Sequence, residues 1–191
     1  MASKKGAERS RPSFEDNITK LLSTFRDLVA QDKENNHIIH VRHDSLSPTS
    51  PLHPSNTGSA FQDYATPLPE EPVLTKSVNS SFVGTDLEAR IRGLGIQRLI
   101  VAGLTTGHCV STTVRMASNL KVVDESNGGE IILVTDATAM FSRKGVDGRE
   151  FEAELLHAAE MAMLNEEFCT VKSTADVLEA LTSTAVRVYG R

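Results

Sequence analysis

The sequence has few cysteines, few aromatic residues and no long apolar run, and each scarcity argues against a class of protein. Its 191 residues include two cysteines and only 5% aromatic residues. Cys109 and Cys169 lie too far apart in the sequence to read as a disulfide framework, so we expect free thiols and a cytoplasmic protein. No stretch of about 18 apolar residues occurs, so we predict no transmembrane helix and no membrane partner.

Charge of a single sign is not concentrated anywhere in the chain. The 20 Lys and Arg residues and 25 Asp and Glu residues give a net charge of −5, with the two signs interspersed. No basic stripe alternates with aromatic residues, so we expect no nucleic-acid partner. A content of 39% apolar residues is typical of one ordinary globular domain.

The chain is predicted to contain a single domain between two tails. Residues 1–12 are polar and lack periodicity, which predicts a disordered tail. We place the domain at residues 13–182 and a C-terminal tail at residues 183–191.

Helical and strand patterns alternate along the domain. Helices are predicted at residues 14–31, 86–92, 109–119, 150–164 and 175–181, and strands at residues 37–41, 73–75, 98–103, 131–135 and 169–171. Alternation of this kind predicts a doubly wound, Rossmann-like α/β fold, in which a parallel sheet lies between two helical layers. The Pro- and Ser-rich residues 42–72 are longer than a connection requires and are a candidate wall or lid of a pocket.

Ligands of such sheets bind beyond the carboxyl ends of the strands, so the residues that follow each strand are candidates for chemistry. Cys109 begins a predicted helix directly after the strand at residues 98–103, where the helix dipole and free N–H groups favour a thiolate. A small buried core residue is the alternative interpretation of this cysteine. Lys76 follows the strand at residues 73–75, and its ammonium would lie at the same rim to stabilise a thiolate; a solvated strand-end charge is its alternative interpretation.

Three segments resemble a known family. They are TKSVNSSFVGTDLEARIRGLGI at residues 75–96, LIVAGLTTGHCVSTTVRMASNL at residues 99–120 and VTDATAMF at residues 134–141. In them the chain resembles the isochorismatase-like cysteine hydrolases, which include isochorismatase, nicotinamidase and streptothricin hydrolase. The resemblance extends over about residues 13–181 and implies a three-layer α/β/α fold.

The resemblance also implies roles for individual residues. Cys109 corresponds to the nucleophile and Lys76 to the lysine of the catalytic triad. The oxyanion hole of the family maps to the N–H groups of Thr105 and Cys109, next to a cis peptide bond between Leu104 and Thr105.

One departure from the family pattern concerns the general base. The family begins with an apolar strand that ends in a catalytic aspartate and lies in the middle of the sheet, and no segment before Ser13 resembles it. We therefore expect a sheet short of this strand, in a chain that is either N-terminally incomplete or a variant in which Asp44 or Asp136 serves as the base. Without the strand, residues 37–41 and 98–103 either pair with each other or leave open edges.

The remaining candidate residues give weaker signals. His37, His40 and His43 do not share one face of a strand, so we predict no metal site and no cofactor. Asn79 and Phe82 lie close to Lys76 in the sequence and are candidate substrate-binding residues, although Phe82 fits a packing role equally well.

These observations predict a hydrolase that acts on a small molecule through Cys109, by amide C–N cleavage and an acyl-enzyme, with activity weakened by the missing aspartate. The alternative is a catalytically silent family member that acts as a binding or oligomerisation subunit. A homo-oligomer is expected under both hypotheses.

Overall fold

The structure, a computed structural model, describes residues 9–188 and the side chains of residues 9–181. The helices are α1 (Phe14–Gln31), α2 (Leu87–Leu94), α3 (Ser111–Asn119), α4 (Ala153–Leu164) and α5 (Thr174–Val188). The strands are β1 (His40–His43), β2 (Val73–Lys76), β3 (Arg98–Leu104), β4 (Glu130–Ala139), β5 (Arg143–Lys144), β6 (Glu150–Phe151) and β7 (Thr170–Lys172).

The parallel strands form two separate half-sheets. Strands β1 and β2 pair in parallel, with His40 opposite Val73. Strands β3, β4 and β7 form a second parallel sheet in that order. Over the described residues β1 does not pair with β3, so each half-sheet ends in an open edge, one of the two outcomes expected from the sequence.

Helices cover both faces of the strands. One core cluster joins α2, α3 and α4 to the sheet through Ile91, Val114, Leu133 and Leu164. The other joins α1 and α5 to the opposite face of β4, with Phe14 and Val177 among its buried residues. The architecture is therefore the predicted three-layer α/β/α fold.

Amphipathic periodicity accounts for α1, which spans the predicted residues 14–31. Strand β1 begins at His40 rather than at residue 37, because its ladder starts where the His40 N–H donates to the Pro72 carbonyl, 2.9 Å away. Pro72 has no N–H to extend the ladder further. Helix α3 is preceded by one turn of π-helix at Thr106–Val110, so Cys109 lies in that turn rather than at a helix start.

Both predicted tails need correction where the structure describes them. Ser10 is buried, and its N–H donates to the Met140 carbonyl at 2.9 Å, so residues 9–12 are not a disordered tail. Helix α5 continues to Val188, beyond the predicted start of the C-terminal tail at residue 183. Residues 1–8 and 189–191 lie outside the described residues.

Candidate active site

The thiol of Cys109 lies in the π-helical turn that connects β3 to α3. The peptide bond between Leu104 and Thr105 is cis, at the position that the family resemblance implied. The Thr105 carbonyl accepts the N–H groups of His108 at 3.0 Å and Val110 at 3.3 Å, and no such bond comes from Cys109. Single π-turns of this kind are frequent at functional sites. The turn leaves Cys109 partly exposed at the carboxyl end of β3.

A fully buried histidine, His157, contacts this turn through Thr106. The Nδ1 atom of His157 lies 2.9 Å from the Thr106 hydroxyl, and its Nε2 atom lies 3.3 Å from the Thr135 hydroxyl. Burial lowers the pKa of His157, with a smaller contribution from the charge of Arg11, so the imidazole is neutral near pH 7. A neutral ring is both donor and acceptor, which suits two hydroxyl partners.

Lys76 contacts Cys109 directly from the end of β2. Its side chain is buried, and Nζ donates to Cys109 Sγ at 3.2 Å. Nζ also donates to the Val78 carbonyl at 2.9 Å and lies 3.3 Å from His43 Nδ1. An ammonium has three N–H donors and no acceptor, so these contacts use all three donors.

His43 also belongs to this site, through its contact with Lys76, and it was not among the residues predicted from the sequence. Burial lowers its pKa most, followed by the neighbouring charge of Lys76, while Asp44 acts in the opposite direction. The imidazole is therefore neutral near pH 7 and can accept from Lys76 through Nδ1. The available signal was its position at the end of β1, which pairs His43 with Lys76 across the ladder.

The two candidate substrate-binding residues have different surroundings. Asn79 is exposed, and its Oδ1 atom lies 3.9 Å from Cys109 Sγ. Phe82 is 9% exposed and packs in the core cluster beneath α2, which is a packing role. Asn79 thus lies at the thiol and Phe82 in the core beside it.

Neither aspartate proposed as a stand-in base hydrogen-bonds to Cys109. Asp44 Oδ2 accepts from Arg42 at 2.9 Å, and the buried Oδ1 has no hydrogen-bond partner. Asp136 accepts from the Thr174 N–H at 2.7 Å and from its hydroxyl at 2.8 Å. These bonds satisfy the start of α5, so Asp136 has a structural role, whereas Asp44 keeps one free oxygen at the rim.

Over residues 9–181, no three His, Cys, Asp or Glu side chains come together as a metal site. None of the described helices is both long and apolar enough to cross a bilayer.

The arrangement can support thiolate chemistry. A thiol on a helix-preceding turn receives a hydrogen bond from a buried ammonium, and a neutral imidazole lies on the other side of that ammonium. Charge-assisted hydrogen bonds of this kind stabilise an anionic acceptor.

Comparison with known proteins identifies the family. A sequence profile described as the isochorismatase domain matches residues 9–176. The chain belongs to the isochorismatase family. Every residue of the candidate site lies within the matched range.

Relatives in this family match most of the chain. The uncharacterized isochorismatase family protein YrdC of Bacillus subtilis is 37% identical over 92% of this chain and 87% of its own length. The secreted isochorismatase effector Isc1 of Verticillium dahliae is 30% identical over 89% of this chain and 78% of its own. An isochorismatase-family structure from Chromobacterium violaceum has a TM-score of 0.83 and 36% identity, covering 95% of this chain and 87% of that one.

Proposed function

We propose that this isochorismatase-family hydrolase cleaves the C–N bond of a small amide through nucleophilic attack by Cys109. The observation that carries the proposal is the hydrogen bond from the buried Lys76 ammonium to Cys109 Sγ, at 3.2 Å. A thiolate is the nucleophilic form of cysteine, and an adjacent ammonium favours that form.

The reaction proceeds in two halves. The Cys109 sulfur forms a C–S bond with the amide carbonyl carbon, and the carbonyl electron pair moves to oxygen, beside the N–H groups of Thr105 and Cys109. Collapse of this intermediate breaks the C–N bond and releases the amine. Water then attacks the thioester, which releases the carboxylic acid and regenerates the thiol.

His43 gives the thiol proton a destination. Lys76 passes a proton to His43 Nδ1 and takes one from Cys109, so the net transfer runs from sulfur to imidazole along contacts of 3.3 Å and 3.2 Å. The imidazolium returns the proton to the leaving amine through the same lysine. Asn79, 3.9 Å from the sulfur, is placed to contact the substrate.

Turnover is expected to be slow. Among the described side chains, no carboxylate hydrogen-bonds to Cys109 or Lys76, and a positioned acid or base typically contributes about 10²- to 10⁴-fold. Asp44 has one carboxylate oxygen without a hydrogen-bond partner near this site. Asp44→Asn is therefore the first variant to make in a search for a substitute base.

The lack of a carboxylate on Cys109 or Lys76 among the described side chains supports a second candidate function. In it, the chain is a catalytically silent subunit that binds a small molecule or assembles with other copies of itself. Retention of the contact between Lys76 and Cys109 favours the enzyme. A cytoplasmic location, a homo-oligomer and a small-molecule substrate are parts of the proposal.

Thiol labelling tests the proposal without knowledge of the substrate. Iodoacetamide should modify Cys109 before Cys169, because burial raises the pKa of Cys169 to about 11. Lys76→Met should slow Cys109 labelling about tenfold at neutral pH, since a hydrogen bond from a charged donor is worth roughly 1.5–3 kcal/mol. Mass spectrometry of peptides after brief labelling gives both rates.

Lys20→Met is the matched control, because Lys20 is an exposed lysine on α1 and should leave labelling unchanged. Incubation with a panel of small amides should then add an acyl mass to the wild-type chain and not to Cys109→Ser. Equal labelling of both cysteines, or a Lys76→Met rate equal to that of wild type, would remove Cys109 and Lys76 as a catalytic pair. Fast labelling without acylation or turnover would favour the silent subunit.

A further inference from the structure

Strand β4 contains a bulge close to the turn that holds the thiol. Residues 134–137 of β4 lie opposite Ala102 of β3, so four residues face one across the ladder. Bulges are common beside active sites, where they redirect side chains. Thr135 belongs to this bulge, and its hydroxyl lies 3.3 Å from Nε2 of His157, a side chain that is 0% exposed.

Hydrogen bonds fix the bulge to the rest of the fold. The Asn17 side chain donates to the Asp136 carbonyl at 2.9 Å. The Thr138 hydroxyl is 3.1 Å from the Val134 carbonyl and 3.3 Å from the Thr135 carbonyl. Together with the bonds between Asp136 and the start of α5, these contacts make the bulge a firm support that does not depend on the turn of the thiol.

The turn that holds Cys109 is connected to this support through its first residue. The Thr105 carbonyl accepts two N–H groups of the turn, so one atom carries both of these backbone bonds. Thr106, which begins the turn, is 0% exposed, and its hydroxyl lies 2.9 Å from Nδ1 of His157. The imidazole therefore bridges the bulge and the turn.

The contacts of His157 indicate which ring nitrogen carries the proton. Burial lowers the pKa of His157 most, while a hydrogen bond to the Thr135 backbone acts in the opposite direction. A bond that raises the pKa of an imidazole is one that the ring donates, so the acceptor is the Thr135 carbonyl. Nε2 is the nitrogen on this side and carries the proton. In the neutral ring Nδ1 is then an acceptor, to which the Thr106 hydroxyl donates.

We propose that His157 is a positioning residue for the reaction at Cys109. Its Nε2–H group is anchored on the bulge, and its Nδ1 atom holds the Thr106 hydroxyl, which keeps the N–H groups of Thr105 and Cys109 directed at the substrate oxygen. The inference rests on the proposed function, because it concerns the same attack on a carbonyl carbon. A shift of about 1 Å in such a site can cost about 10²-fold in rate.

Two reagents that modify the same sulfur separate the position of these N–H groups from the reactivity of the thiol. With 4-nitrophenyl acetate, the Cys109 sulfur forms a C–S bond at the carbonyl carbon through an oxyanion, and the C–O bond then breaks to release 4-nitrophenolate. With iodoacetamide, the sulfur displaces iodide and no oxyanion forms. The ratio of the acetylation rate to the alkylation rate of Cys109, both measured by mass spectrometry, therefore reports the oxyanion donors.

Substitution of Thr106 provides the first test. Thr106→Val removes the hydroxyl and should lower the ratio at least about tenfold, because a misdirected oxyanion donor loses much of its effect. Thr106→Ser keeps the hydroxyl and should restore the ratio. Thr19→Val is the matched control, because the Thr19 hydroxyl donates within α1 to the Glu15 carbonyl at 3.0 Å and should not affect either rate.

Two substitutions of His157 test the ring nitrogens separately. The amide of His157→Asn lies near the position of Nδ1 and can still accept from Thr106, whereas the amide of His157→Gln lies near the position of Nε2. We expect a higher ratio for His157→Asn than for His157→Gln. Equal ratios would show that Nδ1 is not the atom that holds the turn. Circular dichroism checks the fold of every variant.

NMR of the wild-type chain tests the assigned proton without any reaction, and it decides the question if a variant does not fold. The two ring nitrogens of His157 should show that Nε2 is protonated and Nδ1 is not. A proton on Nδ1, or equal ratios for Thr106→Val and wild type, would overturn this inference and leave the proposed function intact. A wild-type chain that is alkylated but never acetylated at Cys109 would overturn the proposed function, and this inference with it.

Discussion

The two half-sheets are stabilised in different ways. In the three-stranded half, Leu133 and Val134 of β4 are 0% exposed, and both helical layers pack on them. In the two-stranded half, Val73 is 42% exposed, and Leu74 is the apolar residue of β2 that joins the core. Its main polar anchor is Glu71, which precedes β2 and is 7% exposed.

The Glu71 carboxylate connects three parts of the chain. It accepts two hydrogen bonds from Arg26 of α1, at 2.7 Å and 2.8 Å, and lies 2.8 Å from His40 Nε2 of β1. The Leu68 N–H donates to it at 2.8 Å. Apolar packing thus positions the half-sheet that leads to the thiol, while a buried carboxylate helps to position the half-sheet that carries its ammonium.

Truncation of the core in each half should expose this difference most strongly. Leu133→Ala removes a fully buried side chain and should lower the free energy of unfolding by about 3 kcal/mol, within the usual range for such truncations. Val41→Ala, at a partly exposed position on β1, should cost about 1 kcal/mol. Urea denaturation of both variants measures the two losses, and equal losses would refute the contrast.

Removal of the Glu71 charge should have an intermediate effect, about 2 kcal/mol for Glu71→Gln, because Arg26 and His40 lose a charged partner. The hydrogen bonds from Arg26 are the main cause that lowers the pKa of Glu71 from 4.5 to about 2. Since the pKa in the folded state is the lower one, this stabilisation is complete above about pH 4.5 and disappears as the pH falls toward 2.

Denaturation midpoints measured across this acidic range should therefore converge for the wild type and Glu71→Gln. Glu88→Gln is the matched control, because Glu88 forms an exposed ion pair with Arg92 and should cost less than about 0.5 kcal/mol. A gap between wild type and Glu71→Gln that stays constant with pH would show that the charge of Glu71 does not cause it.

The smallest effect concerns the coupling between His43 and Lys76. Lys76→Met should raise the pKa of His43, because the ammonium is the second cause of its lowered value; burial, the first cause, remains and keeps the pKa below 6.5. An NMR titration of the imidazole measures the change, with Lys20→Met as the control.

The sign of the His43 contribution to stability follows from the same shift. A folded-state pKa below that of the unfolded chain means that acid favours the unfolded state, so stability falls as the pH drops below about 6.5. If Lys76→Met leaves the His43 titration unchanged, the contact between the two side chains has no electrostatic consequence.

Local patterns predicted the elements whose own residues determine them. The periodicity of α1 gave both of its ends, and the alternation of strands and helices gave the layers. The predicted helix at residues 86–92 corresponds to α2, at whose start the Thr85 hydroxyl accepts the Leu87 N–H at 3.3 Å.

Features that depend on distant partners were not predictable in this way. The start of β1 depends on Pro72, and the role of His43 depends on Lys76, which is 33 residues further along the chain. The short antiparallel pair of β5 and β6 was also missed, although Asp147 and Gly148 between its strands form a typical turn pair.

The three donors of Lys76 have a mechanical consequence. They end on β1, on the loop after β2 and on the turn before α3, so one nitrogen atom fixes the spacing of three chain segments. The tetrahedral ammonium can point in three separate directions, whereas the planar guanidinium of an arginine cannot. Any sliding of one half-sheet along the other must first break a bond at this atom, and the sulfur is among the first groups to register the movement.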